Sequence, residues 1–424
     1  MHKIKSSYII SLFIAFILIA CSGNRYLQNN NFSYLYKPVK EFNPEFIVYH
    51  ISPTTSRIYF KVPKQDIAFK KFTVDEEESA RIRLSAKLFT SYDSQIAIDT
   101  ASAYYTKSLD DVISFNGTSC VLDSLEIRIQ MGANYILQLM FTDLNQSKFF
   151  NYTINVEKTS INNRQQFKVT DQNQLLHFGY YVNVHDELYL EHHKNPSTLY
   201  VRYYKREFPL AAPAFVTTTY QPFNYRADST FSIKAINNLF QFIPTKEGFY
   251  HFQLDSINDK EGITFFVFGN NFPEVSTPEN LLEPLRFITS KEEYDNIKMA
   301  ENVKLHVEKF WLNAGGSPDR ARELIKKYYG RVYQSNLLFS SYKEGWKTDR
   351  GMIYLIFGIP NIVNRTNSSE IWIYGEESNM MSLTFTFYKV INPFTNNDYI
   401  LDRSIIYKNN WYRGVESWRQ GRIY

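Results

Sequence analysis

The sequence predicts a mainly β protein: two antiparallel β-sandwiches of immunoglobulin-like pattern, a helical hairpin, and a small C-terminal α+β domain with an antiparallel sheet. Three observations lead there. Short runs of alternating polar and apolar residues, parted by turn-forming residues, occupy residues 45–272. The apolar period then lengthens to that of a helix. Beyond residue 345 short aromatic-rich strands return, and all five tryptophans lie between Trp311 and Trp418. A chain of 424 residues is long enough for two to four domains with cores of their own.

The first sandwich is expected over 45–158, from "FIVYHI", "SRIYFKV", "ARIRLSAKLF", "SLEIRIQM", "YILQLMF" and "FFNYTINV", with turns such as "SPTTS" and "TDLNQS". A second set over 159–272, from "LLHFGYYVNV" to "TFFVFG", predicts another of similar size. In 273–344, Ser290 and Glu293 have the spacing of a capping box. Behind them Tyr294, Ile297, Ala300, Val303, Val307, Phe310 and Trp311 recur as one helical stripe. Gly315-Gly316 ends that helix, and Ser317-Pro318-Asp319 opens the next, with proline where its missing N–H is harmless. Residues 345–424 are expected to hold the strands "MIYLIFG", "EIWIYGE", "SLTFTFYKV" and "DYILDRS", then a basic aromatic tail.

The net charge of +4 is modest but uneven. Ser317 to Arg350 holds eight Lys/Arg against four Asp/Glu, and Asp402 to Tyr424 five against two, so electrostatic steering belongs to the C-terminal third. So slight a charge disfavours nucleic acid as a partner.

At the N-terminus, His2, Lys3 and Lys5 precede an apolar run, Tyr8 to Ala20, too short to span a bilayer as a mature helix. Leu18-Ile19-Ala20-Cys21 follows. This resembles a bacterial lipoprotein signal with its lipobox. The resemblance implies a signal peptide over 1–20, cleavage before Cys21, acylation of Cys21, and anchoring in a lipid bilayer by several acyl chains. Residues 21–44, rich in Asn, Tyr and Lys, read as a tether. Cys120 is then the remaining cysteine and reads as a core thiol, with no intrachain disulfide.

The stretch "EGWKTDRGMIYLIFGIPNIV", Glu344 to Val363, carries the most information. Gly345, Trp346, Thr348, Asp349, Arg350 and Gly351 are followed by a Gly358-Ile359-Pro360 corner and by Trp372 two residues before Tyr374. With "YYGRVYQSN" upstream, Phe310 to Tyr399 resembles the GWxTD domain, found in outer-membrane lipoproteins of the Bacteroidetes and some other bacteria. Both sandwiches lie outside that resemblance. The family implies an outer-membrane location but no assigned activity. The residues themselves suggest a framework: Asp349 bonding nearby backbone N–H groups, Gly351 supplying an unusual backbone angle, Arg350 pairing with a carboxylate, and Trp346 covering the hairpin core. A ligand clamp of Trp346, Asp349 and Arg350 is the alternative, discriminated by whether Trp346 is buried or opens onto a pocket. A Gly-x-Pro corner before a Trp-x-Tyr strand also resembles small lipoproteins that assist outer-membrane barrel assembly.

Signatures of catalysis are missing: no His-Glu-x-x-His, Gly-x-Ser-x-Gly, phosphate-binding glycine loop or paired cysteine ligands. In "HDELYLEHH", His185, Glu187, Glu191, His192 and His193 read as the surface of an edge strand rather than as metal ligands. In the tail, Trp411, Val415 and Trp418 fall on one side of a helix, with Arg413, Arg419 and Arg422 around them. Trp411, Arg413, Trp418 and Arg419 are therefore candidates for docking a partner, with self-packing as the alternative. The expectation is a non-enzymatic, lipid-anchored outer-membrane protein needing no cofactor. It would act within an outer-membrane protein complex, on the periplasmic face; binding of carbohydrate or peptide at the surface is the alternative, and an enzyme of unknown type the third.

Overall fold

Alternation of side chains along strands builds the first half of the molecule. The structure, a computed structural model, describes residues 30–423 apart from 38–42, 74–76, 116, 218–220, 256, 258–259 and 270. The signal at 1–20, Cys21 and the start of the tether lie outside the described residues. Strands β1 (Glu45–Ser52), β2 (Thr55–Pro63), β3 (Ser79–Phe89), β4 (Asp99–Ser108), β5 (Ile113–Phe115), β6 (Thr118–Arg128), β7 (Asn134–Asp143) and β8 (Lys148–Glu157) form two antiparallel sheets, ordered β1-β2-β6-β5 and β4-β3-β7-β8. In β3, Ile82, Leu84, Ala86 and Leu88 point into a core shared with Ile58, Phe60, Leu137, Leu139 and Phe141. Its alternate residues point away, because the side-chain period of a strand is two. Strand β4 was not foreseen: its small and polar side chains are mostly half-exposed along the edge of its sheet. Cys120 on β6 is buried, and burial raises its thiol pKa.

The second half-β unit pairs β9 (Phe167–Asp171), β10 (Leu188–His192), β11 (Thr198–Tyr204), β12 (Ser229–Lys234), β13 (Phe240–Phe242), β14 (Gly248–Gln253) and β15 (Ile263–Val267). The sheets run β13-β10-β9 and β12-β11-β14-β15, around Leu190, Leu199, Val201, Phe240, Phe252 and Phe265. The run "LLHFGYYVNV" is not the expected strand. It turns at Gly179, φ 105°, and makes single bridges at Leu176 and Tyr181. Strand β15 is buried on both faces: Phe265 meets this core, while Phe266 joins Tyr204, Phe249 and Phe394 in a second cluster. Phe394 comes from the loop after the last long strand, so aromatic packing ties the second sandwich to the C-terminal part.

The C-terminal part comprises α1 (Pro278–Leu282), α2 (Lys291–Lys298), α3 (Val303–Gly315), α4 (Pro318–Phe339), α5 (Asp349–Phe357), the sheet β16 (Ile362–Arg365), β17 (Ser369–Tyr374), β18 (Leu383–Lys389) and β19 (Tyr399–Leu401) in that order, and α6 (Lys408–Arg419). The capping box forms: the Ser290 hydroxyl accepts from the Glu293 N–H, and Glu293 accepts from the Ser290 N–H. The single helix expected from 290 to 315 is two. Asn302 accepts from the Leu305 N–H at 2.9 Å and starts α3 afresh, because a short amide side chain competes with the backbone for its own hydrogen bonds.

Three further corrections concern this part. "MIYLIF" is the helix α5 rather than a strand. Met352 to Ile356 are all buried, and a helix enclosed on every side needs no amphipathic period, so alternation and burial cannot be told apart in the sequence. The hairpin and the residues after 345 share one core, with Trp311, Tyr328, Val332, Trp346, Leu355, Trp372 and Phe385 in contact, instead of forming separate units at 273–344 and 345–424. Finally, residues 31–36, assigned to the tether, pack into that same core. Phe32 donates its N–H to the Val363 carbonyl at 2.8 Å, and the Asn31 side chain accepts from the Val363 N–H at 3.0 Å. The free edge of β16 is thereby covered, and Phe32, Leu35 and Tyr36 are buried.

Candidate functional site

Each residue of the Gly345–Gly351 stretch has a traceable structural task. A Cβ on Gly345 would lie 1.8 Å from the Ser335 carbonyl oxygen of α4, and a Cβ on Gly351 1.9 Å from the Gly345 carbonyl oxygen. The chain thus stacks α5 on the turn at Gly345, and that turn on α4, backbone against backbone. Gly351 is needed for that contact rather than for the unusual backbone angle expected of it, since it lies within α5. Trp346 is 3% exposed; its N–H donates to Asn336 Oδ1 at 3.3 Å, and its ring meets Phe287 edge-on. Thr348 caps α5, accepting from the Gly351 N–H at 3.0 Å while donating to the Gly345 carbonyl at 2.7 Å.

With Thr348 taking the local cap, Asp349 reaches away from its own turn. Its Oδ2 accepts from the Leu401 N–H at 2.7 Å and from Arg403 at 2.9 Å; its Oδ1 accepts from Arg403 at 2.5 Å. Arg403 in turn donates to the Ala212 carbonyl at 3.1 Å, linking the motif to the loop after β11.

Arg350 enters the most buried polar cluster of this part. It donates to Glu370 Oε2 at 3.2 Å, to the Asn397 carbonyl at 3.0 Å and to the Asn397 side chain, and it lies 4.0 Å from the Tyr399 ring centroid. Glu370, fully buried, also accepts from Arg365 Nε at 2.6 Å, from the Tyr36 hydroxyl at 2.6 Å and from the Trp372 indole at 3.2 Å. Burial alone would raise its pKa, but Arg365 and Arg350 outweigh it and lower the pKa to about 2. A carboxylate with four donors has its lone pairs occupied by the fold itself.

The Gly358-Ile359-Pro360 corner is built the same way. Gly358 ends α5 at φ 80°, and Arg331 from α4 donates to the Leu355 and Ile356 carbonyls at 2.9 and 3.2 Å, satisfying the orphan groups of the last turn. Pro360 is buried, and the Tyr374 hydroxyl donates to the Gly358 carbonyl at 2.9 Å.

The proposed clamp is not assembled. Trp346 borders a cavity of about 590 Å³ together with Lys205, Glu283, Glu344 and Lys347, but Asp349 and Arg350 face other parts of the structure. Of the two readings of the tail, docking and self-packing, the packing of its tryptophans is the second. Trp411 and Trp418 are buried, and the Trp418 indole donates to the Ile356 carbonyl at 3.2 Å. Arg419 pairs with Glu293 at 2.7 and 2.8 Å, which leaves Arg413 as the exposed member of the four. Gly414 explains the close approach: a Cβ there would be 2.7 Å from Ile356.

The histidine run is also placed differently from expectation. Strand β10 is the centre of its sheet, and His192 is buried, with Nε2 3.1 Å from the Ile161 carbonyl and burial lowering its pKa to about 4. Among the described residues no three His, Cys, Asp or Glu side chains converge as a metal site.

Sequence reasoning foresaw a carboxylate for Arg350 but missed Glu370, Arg365, Tyr36, Arg403, Asn336 and Asn397. One signal was available: Glu370 lies two residues before Trp372, so a charge shares the strand face of a core tryptophan.

Residues 248–420 match the family model of the GWxTD domain, and the chain carries that domain. The match opens at Gly248, the first residue of β14, so it takes in the last two strands of the second sandwich, which the resemblance over Phe310 to Tyr399 left outside. It extends beyond Trp418 and thus includes the tail helix. No curated protein matches the chain.

Proposed function

We propose that this chain is a non-enzymatic, lipid-anchored outer-membrane protein, a scaffold or accessory subunit of an envelope machine for outer-membrane protein assembly or secretion, on the periplasmic face. The observation that carries the scaffold reading is the use of the motif. Thr348, Asp349 and Arg350 spend their polar atoms on the fold's own backbone and charges, and Trp346 is buried. The anchor reading rests on the lipobox-like Leu18-Ile19-Ala20-Cys21. Asn31, ten residues after Cys21, is bonded to β16. Ten extended residues reach about 35 Å at most, so an acylated Cys21 would keep the GWxTD domain close to the bilayer.

Metabolic labelling with palmitate, followed by crosslinking in isolated envelopes, tests this. Wild type should take up label and crosslink to outer-membrane assembly or secretion components, and Cys21→Ser should do neither. Label retained by Cys21→Ser refutes the anchor, and crosslinks restricted to unrelated proteins refute the scaffold role.

One observation favours the alternative of carbohydrate or peptide binding. A cavity of about 370 Å³ lies where β8, residues 261–262 and the loop after β18 meet. Into it face Asn155, Arg164, Lys389 and Glu157, whose Oε1 is buried without a hydrogen-bond partner. Saccharide and peptide arrays probed with wild type and Glu157→Gln would decide for it if binding depends on Glu157.

A further inference from the structure

One side of α4 combines positive charge with a recess. Arg320, Leu324, Lys327, Arg331 and Gln334 recur at spacings of four, three, four and three residues, which places them along one side of the helix. With Ile359 and Ile423 they line a groove of about 660 Å³. Arg320, Lys326, Lys327 and Arg331 supply four positive charges to its wall; Glu323 supplies one negative charge, which Arg320 already engages at 2.7 Å. The Lys327 pKa is lowered, first by burial and then by the neighbouring charges of Arg331 and Arg320, against which Glu323 acts. The basic excess of residues 317–350 thus has a concave home.

Gly330 lies in the same wall, in the middle of a 22-residue helix. Glycine there costs about 1 kcal/mol relative to alanine. Elsewhere in this domain close packing accounts for such residues, as at Gly345, Gly351 and Gly414. A Cβ on Gly330 would meet nothing within 4 Å. Its bare backbone leaves space in the groove that nothing in the described chain fills.

We propose that this groove docks an acidic, extended peptide segment of a partner protein, its carboxylates on Lys326 and Lys327 and an apolar side chain beside Ile359 and Ile423. A recess holding apolar side chains between cations suits a peptide with alternating acidic and apolar residues, one set for each lining. A membrane surface, being broad and flat, would meet the rim and leave the recess empty. The proposal adds a partner-binding surface to the scaffold reading and is independent of the anchor at Cys21.

Fluorescence anisotropy on the purified full chain tests it, with a fluorescein-labelled peptide of about ten residues alternating Glu and Leu. The control peptide has Gln for Glu, and vesicles of phosphatidylglycerol serve as a second probe. The acidic peptide should bind, the Gln peptide should not, and salt should weaken the complex. Lys326→Glu with Lys327→Glu, and separately Gly330→Phe, should each lower affinity at least about tenfold while the melting temperature is kept. Absence of peptide binding, binding unchanged in both variants, or charge-dependent binding to vesicles alone would each overturn the proposal. These outcomes are independent of palmitate labelling, so failure here is distinguishable from failure of the anchored-scaffold reading.

Discussion

Tyr36 donates its hydroxyl hydrogen to the fully buried Glu370 at 2.6 Å, joining residues 334 positions apart. Tyr36 also accepts from Arg365 at 2.7 Å, and its carbonyl accepts from the Tyr354 hydroxyl at 3.1 Å. The segment just before the first sandwich therefore completes the core of the last domain. Tyr36→Phe keeps the ring and removes the hydroxyl. A hydrogen bond to a charged group contributes about 1.5–3 kcal/mol, so urea unfolding should show a loss of that order. An unchanged midpoint would mean that the segment is not held in this way.

Glu370 sets an acid limit on the domain. Its pKa is lowered from 4.5 to about 2 in the fold, so its carboxylate stabilises the native state above about pH 4.5, and that contribution fades as pH falls toward about 2. Glu370→Leu strands Arg350 and Arg365 and should destabilise by about 3–5 kcal/mol. Glu370→Gln should flatten the stability profile between about pH 4.5 and about pH 2. A wild-type slope retained in that variant would place the acid sensitivity elsewhere, with Glu293 and its partner Arg419 the next pair to examine.

Two helical glycines should respond in opposite ways. Gly351→Ala drives a Cβ to 1.9 Å from the Gly345 carbonyl oxygen, and overpacking of backbone against backbone should cost about 3 kcal/mol or more. Gly330→Ala enters open space and should gain about 1 kcal/mol. Thermal melts of the two variants decide this, and a stabilised Gly351→Ala would refute the close-approach account of the motif.

The tail should behave as core. Trp418 is fully buried against Tyr328, with ring centroids 4.9 Å apart, and near Trp311 at 6.3 Å. Trp418→Ala should lower stability by about 3–5 kcal/mol, read as an earlier melting transition. A variant that melts like wild type yet loses crosslinked partners would restore the tail as a docking element.

The sequence by itself determined the local structures. Alternating strands, the Ser290–Glu293 capping box, the Ser317-Pro318 helix start and the helical spacing of Trp411, Val415 and Trp418 all depend on neighbours within a few residues. It also marked the GWxTD stretch as a unit. Tertiary structure alone decided which way those elements face and what they join. "MIYLIF" became a helix because the Thr348 cap and burial on all sides override strand-like composition. Asp349 found Arg403, Arg350 found Glu370, and Phe32 and Tyr36 entered a core that forms more than 300 residues later. Such pairings depend on contacts whose sequence separation leaves no periodic trace. A buried charge requires a partner, but that requirement is met in space and does not specify where along the chain the partner lies.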